Sequence, residues 1–201
     1  GGCLRDVRRN QRGGAVAGTR VIELGPALGG SSLLPCLTVC VAAAGRPRDA
    51  SVLAGLVGHP FETSYALGGG ELWPCCALEW SYFGWVDRLG LRQEVFDLVG
   101  NNPAVRPKPT ALERERFLDT AFESIARSTE RGVPALMWSP MSAEQQANGV
   151  GAFCWGVIEG VDRRSGEYLV VHRDAGRFRT PASELGRADA VQWFHARVFQ
   201  G

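Results

Sequence analysis

The sequence predicts an α+β fold in which helices dominate the first half of the chain and an antiparallel sheet forms later. The segment 33–44, which lies between Ser32 and Gly45, is apolar on nearly all sides, as a buried central helix would be. Farther along, two β-prone runs at 155–161 and 168–171 flank a polar segment that ends in Gly166, which is the sequence pattern of a β-hairpin. Helices followed by strands are typical of α+β domains.

Length and composition favour one domain over residues 19–201, preceded by a flexible, Gly- and Arg-rich arm at 1–18. The 201 residues are 45% apolar, which is enough for a continuous core. A net charge of +1 provides no basic surplus for phosphate backbones, so nucleic acid is not an expected partner. No apolar run reaches the roughly 20 residues of a membrane span, and the first residues do not resemble a signal peptide. We expect a soluble, cytoplasmic protein whose oligomeric state the sequence leaves open.

In the first half, the central helix begins near the serines at 31–32, because Pro35 fits only the first turn of a helix. Gly45 ends it, and Pro47 lies just beyond. Around this helix we predict a strand at 19–24, a helix at 50–57, a loop with strand pieces at 61–76, a helix at 77–89, a strand at 91–98 and an extended linker at 101–109.

In the second half, Thr110 and Glu113 form the sequence signature of a capping box, which opens the clearest helix of the chain. The apolar stripe of that helix is formed by Phe117, Leu118, Ala121, Phe122 and Ile125, and Arg131-Gly132 ends it. The remaining predicted elements are a strand at 133–138, a polar loop at 139–151, the hairpin, a helical turn at 181–185 and a final strand at 190–199. Alternation along the second hairpin strand places Val170, His172 and Asp174 on one face.

The six cysteines have no disulfide-scaffold spacing, so we expect reduced thiols; they are Cys3, Cys36, Cys40, Cys75, Cys76 and Cys154. Cysteines that bind metals are usually separated by two-residue gaps, and this chain has none. Buried thiols that pack as small apolar groups are the favoured interpretation. No metal and no cofactor are predicted.

Three segments together resemble a known group of proteins. The helix segment closes at Gly45, thirteen residues after Ser32; Cys154 precedes Gly160 by six residues in a β-prone run; and a second run leads to Asp174. This pattern is similar to papain-like peptidases that cleave bacteriocin leaders after a double glycine, and to the amino-terminal domain of butirosin-type acyltransferases. The resemblance implies a papain-like fold, with a nucleophilic Cys at the start of the helix, a His base on a strand and an Asp that orients the His.

The residues at these places differ from that pattern in two of three cases. Ser32 stands where the resemblance implies the nucleophilic Cys, and Cys154 stands where it implies the His, while Asp174 keeps its type. No Gln precedes Ser32 at the distance of an oxyanion-hole residue. A hydroxyl needs a strong adjacent base, which a thiol does not provide. We therefore expect a catalytically degenerate domain that binds a peptide or a small acyl-bearing molecule in the former substrate cleft.

An active cysteine hydrolase, peptidase or acyltransferase is the alternative. A register shift of four residues makes Cys36 the nucleophile, although this position lies one turn into the helix and faces the core. Alternatively, Cys154 is the nucleophile and His172, across the hairpin and two residues from Asp174, is the base. The other titratable candidates, His59, His195 and Glu159, are interpreted as a helix-end residue, a structural residue and a strand residue facing solvent or a polar cavity.

Overall fold

The computed structural model describes residues 22–25, 32–56, 65–68, 71–74, 86–98, 110–142, 144–145, 154–185 and 195–201. Several predictions fall outside the described residues, namely the arm at 1–18, most of the helix at 77–89, the linker at 101–109 and the greater part of the loop at 139–151. Within the described part of the chain, no helix is both long and apolar enough to cross a membrane.

Most of the described helices and strands follow the predicted order. The helices are α1 (Leu33–Ala43), α2 (Ala50–Leu56) and α3 (Ala111–Glu130). The strands are β1 (Tyr65–Gly68), β2 (Glu71–Pro74), β3 (Arg92–Asp97), β4 (Ala135–Trp138), β5 (Trp155–Asp162), β6 (Glu167–His172), β7 (Gly176–Pro181) and β8 (His195–Gln200). A short 3-10 helix, Ala182–Glu184, follows β7. The predicted α+β class is confirmed.

Six of the described strands form one sheet in the order β3-β8-β4-β5-β6-β7, and every neighbouring pair is antiparallel. Strands β1 and β2 form a separate antiparallel hairpin. The hairpin of β5 and β6 turns at Gly166, whose φ of 71° lies in the left-handed region that glycine adopts without a steric penalty. The sequence prediction of this hairpin is confirmed.

Helices cover both faces of this sheet. Helix α1 packs against Leu136, Trp138 and Val157. Helix α3 packs on the other face against Met137 and Ile158, the residues that alternate with them along the same strands. Because the central strands are covered on both sides, β4 is buried along its whole length. A site formed by these strands must therefore lie at an end of the sheet.

The ends of α1 and α3 are set by the local signals that the sequence contains. Gly45 follows α1 with a φ of 83°, and Gly132 follows α3 with a φ of 79°. The capping box is formed: the Thr110 hydroxyl accepts from the Glu113 amide at 3.3 Å, and the Glu113 carboxylate accepts from the Thr110 amide at 2.8 Å. Both predicted helix boundaries are confirmed.

Four predictions need correction. Residues 22–25, the described part of the predicted strand at 19–24, form no strand, and residues 86–89 form a 3-10 helix where an α-helix was expected. Strand β7 was not predicted. Strand β6 ends at His172, so Asp174 lies in the turn at 173–175 and not on the strand face that alternation assigned to it. A turn aims side chains independently of strand periodicity, which is why the alternation argument fails there.

Candidate functional site

Two side chains, those of Ser32 and Cys36, connect the start of α1 to the start of β5. Both form hydrogen bonds to the backbone of Trp155. The Ser32 hydroxyl accepts a hydrogen bond from the Trp155 amide at 2.9 Å, and the Cys36 thiol donates to the Trp155 carbonyl at 3.5 Å. Although Ser32 occupies the N-cap position, its side chain does not cap the helix. Ser32 thus connects the helix to the sheet and is buried in doing so.

Cys154 lies immediately before β5, near the end of β4 and the start of α1. Its carbonyl accepts from the Ser139 amide at 2.8 Å, which continues the pairing of β4 with β5. Its side chain is partly buried, and the neighbouring Ser32 hydroxyl acts to lower the pKa of its thiol. Ser32 and Cys154, the positions at which the papain-like resemblance implies a Cys and a His, are therefore neighbours at this end of the sheet.

His172 and Asp174 complete a cluster with Cys154. The cysteine sulfur, a ring nitrogen of His172 and a carboxylate oxygen of Asp174 all lie within 4.8 Å of one another. The pairing of Val157 with Val171 explains this, because it brings the end of β6 alongside the start of β5. His172 is only 2% exposed, whereas Asp174 is exposed. Cys154 thus meets His172 and Asp174, which lie 18 and 20 positions later in the sequence, at one end of the sheet.

The imidazole of His172 has an unusual set of partners. Its Nδ1 accepts hydrogen bonds from the backbone amides of Asp174 and Ala175, both at 3.3 Å. A nitrogen that accepts carries no proton, so the ring proton of the neutral imidazole is on Nε2. This Nε2 is buried and has no partner among the described residues. The side chain of Asp174 binds Arg173, at 2.8 Å and 3.3 Å, rather than the imidazole.

The pKa values of the cluster shift in directions set mainly by burial and by Arg173. Burial raises the pKa of Cys154, and this outweighs the hydrogen bond from Ser32. Burial also lowers the pKa of His172, although the negative charge of Asp174 opposes the shift. The hydrogen bonds from Arg173 lower the pKa of Asp174. At neutral pH the cluster accordingly consists of a thiol, a neutral imidazole and a carboxylate.

Cys36 stands apart from this cluster. It is fully buried in the core between α1 and the sheet, and burial raises the pKa of its thiol to about 12. Cys40, one turn later, is also fully buried, and its pKa is raised well above the ordinary value. Thiols in such surroundings stay protonated at neutral pH and pack as apolar groups. The structure thus places Cys36 where the core interpretation expects it.

Ser139 is a residue that sequence reasoning did not single out. Its φ of 46° is the one positive value among the described residues other than glycine. Its hydroxyl is buried and has no partner within the described part of the chain. Strained backbone and orphaned polar groups cluster at functional sites. The available sequence signal was the Ser-Pro step at 139–140, which favours a turn.

Of the other candidates, Glu159 is the extra residue of a β-bulge in β5, and its carboxylate binds Arg177 at 3.2 Å. It forms a surface ion pair, in agreement with the solvent-facing alternative. His59 lies outside the described residues, and so does the side chain of His195.

Comparisons of the chain with protein-family models, with curated proteins and with solved structures found no match. The arrangement of the cluster is therefore interpreted from its own geometry.

Proposed function

We propose that this chain is a papain-like domain whose former catalytic centre binds a peptide or a small acyl-bearing ligand without reacting with it. The observation that carries the proposal is that Ser32, Cys154 and Asp174 lie together: the Ser32 hydroxyl binds the amide of Trp155, which follows Cys154, and the Cys154 sulfur lies within 4.8 Å of a carboxylate oxygen of Asp174. These three residues occupy the places of nucleophile, base and orienting acid in the papain-like pattern. Their meeting at one end of the sheet supports that resemblance.

The chemistry of the first two places does not support catalysis. A serine acts as a nucleophile when an adjacent base removes its proton. Among the described residues, Ser32 interacts with the Cys154 thiol, which is a poor base, and the Ser32 oxygen already accepts a hydrogen bond from the Trp155 amide. Ser32 therefore has a structural role, and the described part of the chain provides no general base for it.

His172 is arranged as a hydrogen-bond donor and not as a base. Its unprotonated nitrogen faces two backbone amides, and Asp174 is turned to Arg173, so the carboxylate does not orient the ring. The remaining group is a buried Nε2–H that has no acceptor among the residues that the structure describes. A buried donor without an acceptor costs about 1–3 kcal/mol. A carbonyl or carboxylate oxygen of a ligand is the acceptor that would recover this energy.

A second candidate function is favoured by one observation. The Cys154 sulfur lies within 4.8 Å of an imidazole nitrogen and of a carboxylate oxygen, which are the three groups of a cysteine hydrolase or acyltransferase. This alternative requires the imidazole to release the amides of Asp174 and Ala175 and to turn a free lone pair to the thiol. Cys36 is not part of it, because that thiol is enclosed in the core.

The experiment measures binding and turnover on the same preparation, with a chelator present. The probes are a fluorescent peptide that ends in Gly-Gly, followed by anisotropy, and p-nitrophenyl acetate, followed by release of p-nitrophenol. We expect saturable peptide binding, a weaker binding constant for His172→Ala, and ester hydrolysis no faster than in buffer.

Cys40→Ala is the matched control for Cys154→Ala, because both remove one thiol and only Cys154 belongs to the cluster. Turnover that Cys154→Ala abolishes and Cys40→Ala preserves would establish the enzyme and overturn the non-catalytic proposal. Absence of both binding and turnover would also contradict it.

A further inference from the structure

We propose that Cys154, His172 and Asp174 together bind a divalent transition-metal ion of the Zn²⁺ class. The three side chains offer one sulfur, one nitrogen and one oxygen ligand, a combination that Zn²⁺ accepts. This site goes beyond the proposed function and does not rest on it, since metal binding needs neither the papain-like resemblance nor a peptide ligand.

The distances between the three candidate ligand atoms suit a metal ion after a small contraction of the cluster. A tetrahedral ion with bonds of about 2.0–2.3 Å holds its ligand atoms about 3.3–3.8 Å apart. The three candidate atoms already lie within 4.8 Å of one another. Asp174 belongs to the turn at 173–175, and both it and Cys154 are outside the regular strands. Rotation of these two side chains therefore closes the gap without moving the sheet.

The charges also fit. One thiolate and one carboxylate neutralise a divalent cation, so the loaded site has no net charge, which favours a partly buried position. A neutral imidazole is the form of histidine that binds metals. The lone pair of His172 is on Nδ1, and the two amide contacts that it accepts are long, at 3.3 Å each. A metal bond at Nδ1 replaces these weak contacts.

Neighbouring residues supply the surroundings that metal ligands need. The Ser32 hydroxyl, which binds the amide directly after Cys154, acts to lower the pKa of the Cys154 thiol, as outer-shell partners of metal ligands do. Three protein ligands leave one tetrahedral position open. The competing cation is Arg173, whose ion pair with Asp174 is partly solvent-exposed. Such pairs contribute only about 0–1 kcal/mol, so an ion can displace the guanidinium.

The test is a titration of the full chain with Co²⁺ under reducing conditions, followed by displacement with Zn²⁺. Thiolate ligation of Co²⁺ produces a charge-transfer absorption band. We expect this band to saturate at one ion per chain and to disappear when Zn²⁺ is added. A wild-type protein without the band would overturn the proposal regardless of how any variant folds.

Variants then locate the site. Cys154→Ala removes the band, and His172→Gln and Asp174→Asn weaken Co²⁺ binding about tenfold or more. The matched controls are Cys40→Ala for the thiol and Asp162→Asn for the carboxylate, since Asp162 binds Arg179 at the opposite end of the same hairpin. A band that persists in Cys154→Ala places the metal on other cysteines and contradicts the proposal. Peptide binding measured with a chelator is independent of this result.

Discussion

The hydroxyl of Ser32 accepts a hydrogen bond from the backbone amide of Trp155, 123 residues away in the sequence, at 2.9 Å. Serine at a helix N-cap ordinarily binds an amide of its own helix, and Ser32 does not. Its hydroxyl instead fastens α1 to β5 beside Cys154. Ser32, at the position where the papain-like resemblance implies a nucleophile, thus makes a structural hydrogen bond to Trp155.

Ser32→Ala should destabilise the fold, because it removes the acceptor of a buried amide. We expect the free energy of unfolding in urea to fall by about 1–3 kcal/mol. Ser165→Ala is the control, since the Ser165 hydroxyl binds Glu167 on the surface, and its effect should stay within about 0.5 kcal/mol. Equal effects of the two substitutions would show that the hydrogen bond between Ser32 and Trp155 does not contribute to the free energy of unfolding.

The double variant Ser32→Cys/Cys154→His should regain a reactive thiol if these positions are the former catalytic pair. The Ser32 hydroxyl binds the amide that directly follows Cys154, so the new thiol would lie beside the new imidazole. Pairing with an imidazole lowers a thiol pKa, so we expect the iodoacetamide rate at neutral pH to rise about tenfold or more over that of Ser32→Cys alone. Equal rates for the single and double variants would argue against a papain-like origin of the site.

The raised pKa of the buried Cys36 thiol should make the free energy of unfolding fall at high pH. Burial raises the pKa of this thiol from its ordinary value of 9.0 to about 12, so unfolding above pH 9 releases a proton that the folded state retains. The stabilisation is therefore present below pH 9 and is lost as the pH rises toward 12. Each pH unit in that range costs up to about 1.4 kcal/mol.

Urea unfolding of the wild-type chain and of Cys36→Ala between pH 7 and pH 10.5 measures this contribution. The variant should lose less stability than the wild type above pH 9, and the difference between the two curves isolates Cys36 from other groups with raised pKa values, such as Cys40. Parallel curves would mean that the Cys36 thiol titrates normally.

Two glycine substitutions should have opposite effects. A Cβ on Gly156 would lie 2.6 Å from Pro140 Cγ, so Gly156→Ala forces the segment that carries Ser139 away from β5 and should cost about 1–3 kcal/mol. A Cβ on Gly55, inside α2, meets nothing within 4 Å, so Gly55→Ala should stabilise the chain by about 0.5–1 kcal/mol. Thermal unfolding of both variants checks the signs, and a neutral Gly156→Ala would contradict the tight packing at the site.

Elements with strong local signals were predictable from the sequence. Thr110 and Glu113 form a capping box four residues long, and Gly45 ends a continuous apolar run, so both helices are encoded by neighbours in the chain. The hairpin turn at Gly166 is equally local. Strand β7 was missed because it follows β6 after a turn of three residues and exposes Arg177 and Arg179, which conceal the alternation of Phe178 and Thr180.

The sequence by itself determined the α+β class, the helix ends and the hairpin. Only the tertiary structure brought Cys154, His172 and Asp174 within 4.8 Å, turned the His172 Nδ1 to the amides of the following turn, and enclosed Cys36 in the core. The physical reason is that these relationships depend on strand register and on the turn at 173–175. Neither is visible in the spacing of residues along the chain.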